Sequence, residues 1–378
     1  MKRLLSFVLA VIMAFSAFCF NVNALETPQI SAECAALMCV QTGELIYEKN
    51  AYEKHSMAST TKIMTSLLAI EEYTPNRKIK VTSSMLGIEG TSMGLLPGDT
   101  VTLEGLAYGM LLQSGNDAAN VTAIALGGSV ENFALMMNNR AKKIGMKNTN
   151  FVTPSGLDDQ NHYSTAYDMA LLGCEAVKNT EFLYICSQKS AAVYYGNPPY
   201  RRTLTNHNRL LSSYDGAVGI KTGFTKKSGR CLVSCAQRGG VTLVAVTLNA
   251  PDDWQDHREM LDYGFSVTQS FECAFSADGL TLPVVGGISN SVSLSCEKAL
   301  AVGKTDDVKS VFLSEHFLYA PVKKGQVVGQ VRWFQGDEVI AASPVTANED
   351  VTLQKTENKK EKQSLFTRIK NYFKEKFQ

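Results

Sequence analysis

The chain has 378 residues, 45% hydrophobic and 19% charged, which is long enough for more than one core and too apolar for a disordered chain. A formal net charge of +1 excludes the overall basic field that nucleic-acid binding draws on. The five histidines are scattered. No Cys/His grouping has zinc spacing and no His-Glu-x-x-His occurs, so neither a metal site nor a cofactor is expected.

The chain opens with Lys2 and Arg3, runs apolar from Leu4 to Phe20 and reaches Val22-Asn23-Ala24. A basic start, a short apolar stretch and a small residue predict a signal peptide, residues 1–24, and therefore export. Beyond it lie eight cysteines, with no pair in a tight staple framework. Disulfides are permitted in an exported chain. Cys231 and Cys235 share one face of a predicted strand and read as small apolar core residues.

Residues 34–47 predict two strands turning at Thr42-Gly43. Ile63, Met64, Leu67, Leu68 and Ile70 then predict an amphipathic helix starting near Ser59 and ending before Pro75. A short strand is expected at 79–81 and a loop at 96–99. Helices follow over 102–112 (Thr102 as N-cap), 117–126, 130–144 and 164–177, with a polar loop at 151–163. Three β-rich stretches, 215–223, 230–237 and 241–248, have short glycine-containing connections and predict antiparallel pairing. A helix over 256–265 closes this part. From about Glu272 the segments are short, alternating and punctuated by turns, which predicts an all-β module. Residues 355–378 carry eight Lys/Arg against three Glu. Phe366, Ile369, Phe373 and Phe377 recur there at helical spacing, an apolar stripe with a basic rim of the kind that lies on membranes.

Three short motifs stand in order. Ser59-Thr60-Thr61-Lys62 puts a hydroxyl and an amine one helical turn apart, at the positive end of a helix, which suits a serine nucleophile with an amine base. Ser-x-x-Lys is weak alone; Ser295-Cys296-Glu297-Lys298 also fits it and is assigned no chemistry. Ser114-Gly115-Asn116 falls in the break between two predicted helices, where a hydroxyl and an amide can face a cleft. Lys221-Thr222-Gly223 falls on a predicted strand, where the lysine can meet a carboxylate and the glycine admits a close backbone. The trio resembles that of penicillin-binding proteins and class A β-lactamases, with Ser-Gly-Asn here where Ser-Asp-Asn is the middle variant.

More of the chain resembles one family, the serine-type D-alanyl-D-alanine carboxypeptidases, or low-molecular-mass penicillin-binding proteins. The resemblance extends from Met57–Thr65 and Leu112–Ala118 through Gly156-Leu157, His162–Asp168 and Gly219–Thr225 to Pro321–Gly329 and the basic tail. It implies an α+β fold: a β-lactamase/transpeptidase-like catalytic domain of antiparallel sheet and helical cluster (25–270), a small all-β sandwich domain (271–352) and a membrane-associating amphipathic tail (353–378). It also implies the chemistry. Ser59 attacks the carbonyl between the two terminal D-alanines of a peptidoglycan stem peptide, and Lys62 takes its proton. Ser114 relays a proton to the leaving amine, and Asn116 orients Lys62 or the substrate. Lys221, Thr222 and Gly223 bind the substrate end, and the backbone N–H groups of Ser59 and Phe224 form the oxyanion hole. β-Lactam antibiotics would acylate Ser59. The expected location is the outer face of the cytoplasmic membrane. Phe224 stands where polar residues also occur in the family, and no Glu-x-x-Leu-Asn-like loop of class A β-lactamases is present.

Overall fold

The computed structural model describes residues 27–72, 77–303, 307–355 and 365–376. The leader and residues 356–364 fall outside them. The chain divides into two compact units between Gln269 and Ser270.

In the first unit, Cys34–Cys39 (β1) and Leu45–Lys49 (β2) form the expected hairpin. A single turn of 3-10 helix, Ala58–Thr61, leads into Lys62–Glu71 (α1). Lys78–Lys80 (β3) and Thr100–Thr102 (β4) are short. Then come Leu103–Leu111 (α2), Asn116–Gly127 (α3), Val130–Ile144 (α4) and Ala166–Lys178 (α5). The caps explain the boundaries. Thr102, Ser129 and Thr165 each accept a hydrogen bond from a backbone N–H three residues on, and Gly128 and Gly145 close α3 and α4 in the left-handed conformation, as helix ends require.

Between Val177 and Asp215 the apolar pattern predicts no element. The chain there forms Thr180–Ser187 (α6), a hairpin of Ser190–Gly196 (β5) and Pro199–Thr205 (β6), and the short helix Leu210–Ser213 (α7). Only Val193, Tyr195, Gly196 and Leu204 of that hairpin are buried, so the alternation that marks a half-buried strand is faint. Ala217–Thr225 (β7), Gly229–Arg238 (β8) and Val241–Leu248 (β9) complete the sheet, and Asp253–Val267 (α8) follows.

The main sheet has the order β2-β1-β9-β8-β7 and is antiparallel throughout. All eight residues of β9 are buried, as expected for a central strand covered on both faces. Adjacent residues of β9 show what covers it. A Cβ on Gly173 of α5 would lie 2.7 Å from Val244 Cγ1, and one on Gly264 of α8 would lie 2.6 Å from Leu243 Cδ1. Successive strand side chains point to opposite faces, so the two helices sandwich the sheet. β3, β4, β5 and β6 form a second, small sheet. β7 is an edge of the main sheet, one row of its backbone groups facing away from β8.

Among the described residues the second unit is all β before its last helix. It contains Gln269–Cys273 (β10), which begins on the last residue of the first unit, Thr281–Val285 (β11), Ser291–Cys296 (β12), Ala299–Gly303 (β13), Val308–Ser314 (β14), Leu318–Tyr319 (β15), Val327–Gln335 (β16) and Glu338–Ala347 (β17). The order β14-β16-β17-β12-β11-β15 makes one sheet, and β10 pairs with β13. Val292, Leu294, Val331, Trp333 and Val345 are central to its core. Leu365–Lys376 (α9) ends the described chain.

Candidate active site

The helix expected from Ser59 is split. Ala58–Thr61 is a tight 3-10 turn and the α-helix proper starts at Lys62. Neither N-cap residue, Met57 or Thr61, makes a side-chain cap hydrogen bond, and Ser59 lies inside the 3-10 turn, so Ser59 is not an N-cap. Ala58 enters the turn at φ +47, a conformation that costs a residue with a Cβ about 1 kcal/mol and persists only where packing holds it. Two glycines supply that packing. A Cβ on Gly156 (φ +83) would overlap the Ala58 carbonyl, and one on Gly223 would lie 3.0 Å from Ser59 N and 3.1 Å from Thr60 N. Gly223 thus makes a close approach to the chain's own Ser59 turn, which β7 abuts.

Lys62 is fully buried. Its Nζ lies 2.8 Å from Ser59 Oγ, 2.7 Å from Asn116 Oδ1 and 2.7 Å from the Ser155 carbonyl. The amide and carbonyl oxygens can only accept. A neutral amine gives them its two hydrogens and keeps its lone pair for the Ser59 hydroxyl, the geometry of a general base. Burial, and then the positive field of Lys221, push the Lys62 pKa well below the usual amine range, against a weaker pull from Asp117. Asn116 is oriented from behind: its Nδ2 donates to the Glu89 carbonyl at 2.7 Å, which turns its oxygen to Lys62.

Ser114 sits between α2 and α3 at φ +60 and, like Asn116, is buried rather than open as a loop position suggests. Lys221 Nζ donates to Ser114 Oγ at 3.0 Å and to the Thr222 carbonyl at 2.7 Å. Lys221 is itself buried, and burial lowers its pKa to about 7. Two hydroxyls, two amines and an amide from distant parts of the chain are therefore joined as Asn116–Lys62–Ser59 and Lys221–Ser114. Thr222 and Gly223 are half-buried beside them on β7, and Phe224 is 65% exposed.

Three supports were not legible in the motifs. Asp117 accepts from Ser92 Oγ at 2.6 Å and from the backbone N–H groups of Met93, Gly94, Leu95 and Ala118 at 2.9–3.0 Å. It ties the loop before β4 to the start of α3; an acid in a first helical turn was visible, its distant donors were not. His162 Nδ1 accepts from Val152 N at 2.9 Å, so the hydrogen on Nε2 goes to Thr61 Oγ1 at 2.9 Å. Burial lowers the His162 pKa to about 4, and the ring holds the 151–164 loop against the Ser59 turn as a neutral group. Asp158 Oδ1 accepts from Ser56 Oγ at 3.2 Å and Thr225 Oγ1 at 3.1 Å, linking that loop to both walls of the site.

The profile of the D-alanyl-D-alanine carboxypeptidase family (peptidase family S11) matches residues 21–252, and that of the penicillin-binding protein 5 C-terminal domain matches residues 276–353. The chain is 32% identical to D-alanyl-D-alanine carboxypeptidase DacF of Bacillus subtilis, over 93% of this chain and 95% of that one. It is 34% identical to DacC of Escherichia coli, over 86% of each. Among solved structures, penicillin-binding protein 5 of Haemophilus influenzae is similar at TM-score 0.64 and 29% identity, covering 87% of this chain and all of that one. The Streptomyces K15 DD-transpeptidase is similar at TM-score 0.61 and 31% identity, covering 64% of this chain and all of that one. With more than half its length in that first profile and full-length relatives above 30% identity, the chain belongs to the D-alanyl-D-alanine carboxypeptidase family.

Proposed function

We propose that this protein is a serine D-alanyl-D-alanine carboxypeptidase that removes the terminal D-alanine of peptidoglycan stem peptides through an acyl-enzyme on Ser59. The observation that carries the reading is the contact of a fully buried amine, Lys62 Nζ, with Ser59 Oγ at 2.8 Å. Burial keeps that amine able to take a proton, and the hydroxyl is in reach to give one.

The steps follow from the groups. Neutral Lys62 takes the Ser59 proton as Oγ bonds to the carbonyl carbon between the two D-alanines. The negative charge that develops on the carbonyl oxygen is met by the N–H groups of Ser59 and Phe224, which the tight packing of Gly223 on the Ser59 turn brings near one another. As the C–N bond breaks, Ser114 hands its proton to the leaving nitrogen, with charged Lys221 at the Ser114 oxygen. Ser114 takes in return the proton that Lys62 received from Ser59, which leaves Lys62 neutral again. D-Alanine departs. A water molecule then gives a proton to the neutral Lys62 as its oxygen bonds to the acyl carbon, and Lys62 passes that proton to Ser59 Oγ as the acyl C–O bond breaks. Thr222 holds the terminal carboxylate, with the charge of Lys221 acting from behind it. β-Lactams present the same carboxylate and carbonyl and acylate the same oxygen.

The expected export through residues 1–24 places this activity at the outer face of the cytoplasmic membrane. The tail attaches there: α9 is about 18 Å long at 1.5 Å per residue, too short to cross a bilayer core, and it carries Ile369, Tyr372 and Phe373 exposed with Lys370, Lys374 and Lys376. That combination fits a helix lying in the lipid interface.

The test is release of free D-alanine from a diacetylated tripeptide ending in two D-alanines. Wild type releases it, and Ser59→Ala and Lys62→Ala lower the rate by about 10³-fold or more. A Ser59→Ala variant with wild-type turnover would remove the assignment.

A further inference from the structure

The second unit carries an exposed apolar groove that the chemistry above does not use. It is lined by Val285, Gly286, Tyr319, Ala320, Leu353, Gln354 and Lys355, with a volume of about 710 Å³. Ile288 borders it, because the Val285–Ile288 turn is fastened along the outgoing chain: Ile288 N donates to the Thr352 carbonyl and Gln354 N to the Gly286 carbonyl. On the other side Ala320 N donates to the Val285 carbonyl, which brings Tyr319 alongside. Ile288 is 69%, Tyr319 70% and Leu353 58% exposed. Phe317 packs edge-on against Tyr319 and is itself exposed. Large apolar side chains clustered in this way mark a contact surface, whereas scattered ones do not.

The groove also lies where the chain leaves the β unit. Leu353, Gln354 and Lys355 are its last described residues before α9, which starts ten residues on at Leu365. Ten residues span at most about 35 Å. Anything that α9 lies on is therefore within reach of the groove. Interfacial binding of a helix scales with the apolar area it buries plus its attraction to anionic lipid, so a further apolar patch on the same chain is a second signal for attachment. A tethered patch supplies that signal at high effective concentration, without a new encounter.

We propose that this groove is a second lipid-contact surface, in which Ile288, Tyr319 and Leu353 enter the headgroup–acyl boundary of the same bilayer that α9 lies on. Tyrosine with aliphatic neighbours and a lysine at the rim is the composition of that boundary. The proposal rests on the tail's membrane reading, and its test separates the two.

The measurement is partition of the chain beginning at Leu25 onto vesicles of phosphatidylcholine and phosphatidylglycerol. It is made for the intact chain and for one ending at Lys355, each with and without Ile288→Ser, Tyr319→Ser and Leu353→Ser together. The three substitutions in the intact chain weaken partition about tenfold, as loss of part of three apolar side chains from lipid predicts, while D-alanine release from the soluble tripeptide is unchanged. Partition equal to wild type overturns the proposal. Loss of the tail weakens binding further; if it does not, the tail reading fails, and the groove substitutions in the shorter chain still decide the groove. A second readout is Tyr319→Trp with brominated lipid. Quenching beyond that of the parent, whose tryptophans are Trp254 and Trp333, supports lipid contact. A Tyr319→Trp emission already blue-shifted without vesicles and unquenched by them assigns the groove to α9 or to a second copy of the chain, and overturns the proposal.

Discussion

At the scale of single residues the site is a problem of two buried amines and where their protons sit. In the proposed mechanism Lys62 has to be neutral to act as base, and Lys221 has to be charged to attract the substrate's carboxylate. Burial drives both pKa values down, and the charge of Lys221 lowers that of Lys62 further. The pH dependence has two limbs. As pH rises, Lys62 loses its proton and kcat/KM climbs; as pH passes about 7, free-enzyme Lys221 loses its charge and kcat/KM falls. A bound carboxylate beside Lys221 favours its charged form, so the alkaline limb of kcat lies at higher pH than that of kcat/KM. Rates of D-alanine release from about pH 5 to about pH 10 measure both limbs. A kcat/KM that stays flat above pH 7 would show that the Lys221 charge is not used. The members of this site were readable because each sits in a short run of polar residues with a distinct local context. Its connections were not. That Lys62 is held by the Ser155 carbonyl, 93 residues away, is a property of the folded chain, and no spacing encodes it.

At the scale of elements the nucleophile turn depends on glycine. Gly156 and Gly145 both have positive φ, but a Cβ on Gly145 meets nothing within 4 Å while one on Gly156 overlaps the Ala58 carbonyl. Gly145→Ala therefore carries only the backbone cost, about 1 kcal/mol of stability, and leaves activity intact. Gly156→Ala pushes the turn that carries Ser59 and lowers kcat/KM about 100-fold, because misplacement by an ångström is enough to do so. Thermal denaturation alongside steady-state rates distinguishes the two; equal effects on activity would mean that the 156 contact does not position Ser59. Long periodic helices such as α4 and the strand-rich run β7–β9 were legible because each buries a regular face. The β5–β6 hairpin was not, since few of its side chains are buried. The 3-10 turn was not either, because periodicity over so short a stretch cannot tell it from the first turn of α1.

At the scale of the whole molecule every polar group of the candidate site lies in the first unit, and the Streptomyces K15 chain is covered completely while matching only 64% of this one. A fragment of residues 25–269 therefore releases D-alanine from the soluble tripeptide within about twofold of the full chain, since uniform binding and chemistry both reside in it. A folded but inactive fragment would assign the β unit a part in catalysis. The division into a mixed first part and an all-β second part was legible as a change in segment length and alternation. What the β unit touches was not, because Ile288, in a turn, and Tyr319, in a two-residue strand, belong to no periodic run whose pattern would separate exposed from buried residues.

The central claim is that one oxygen carries the acyl group, and a labelled penicillin tests it most directly. After incubation, denaturation and proteolysis, the label is predicted on the peptide containing Ser59, at one equivalent per chain, and absent from Ser59→Ala. A stable adduct on any other residue, or undiminished labelling of Ser59→Ala, would contradict the account.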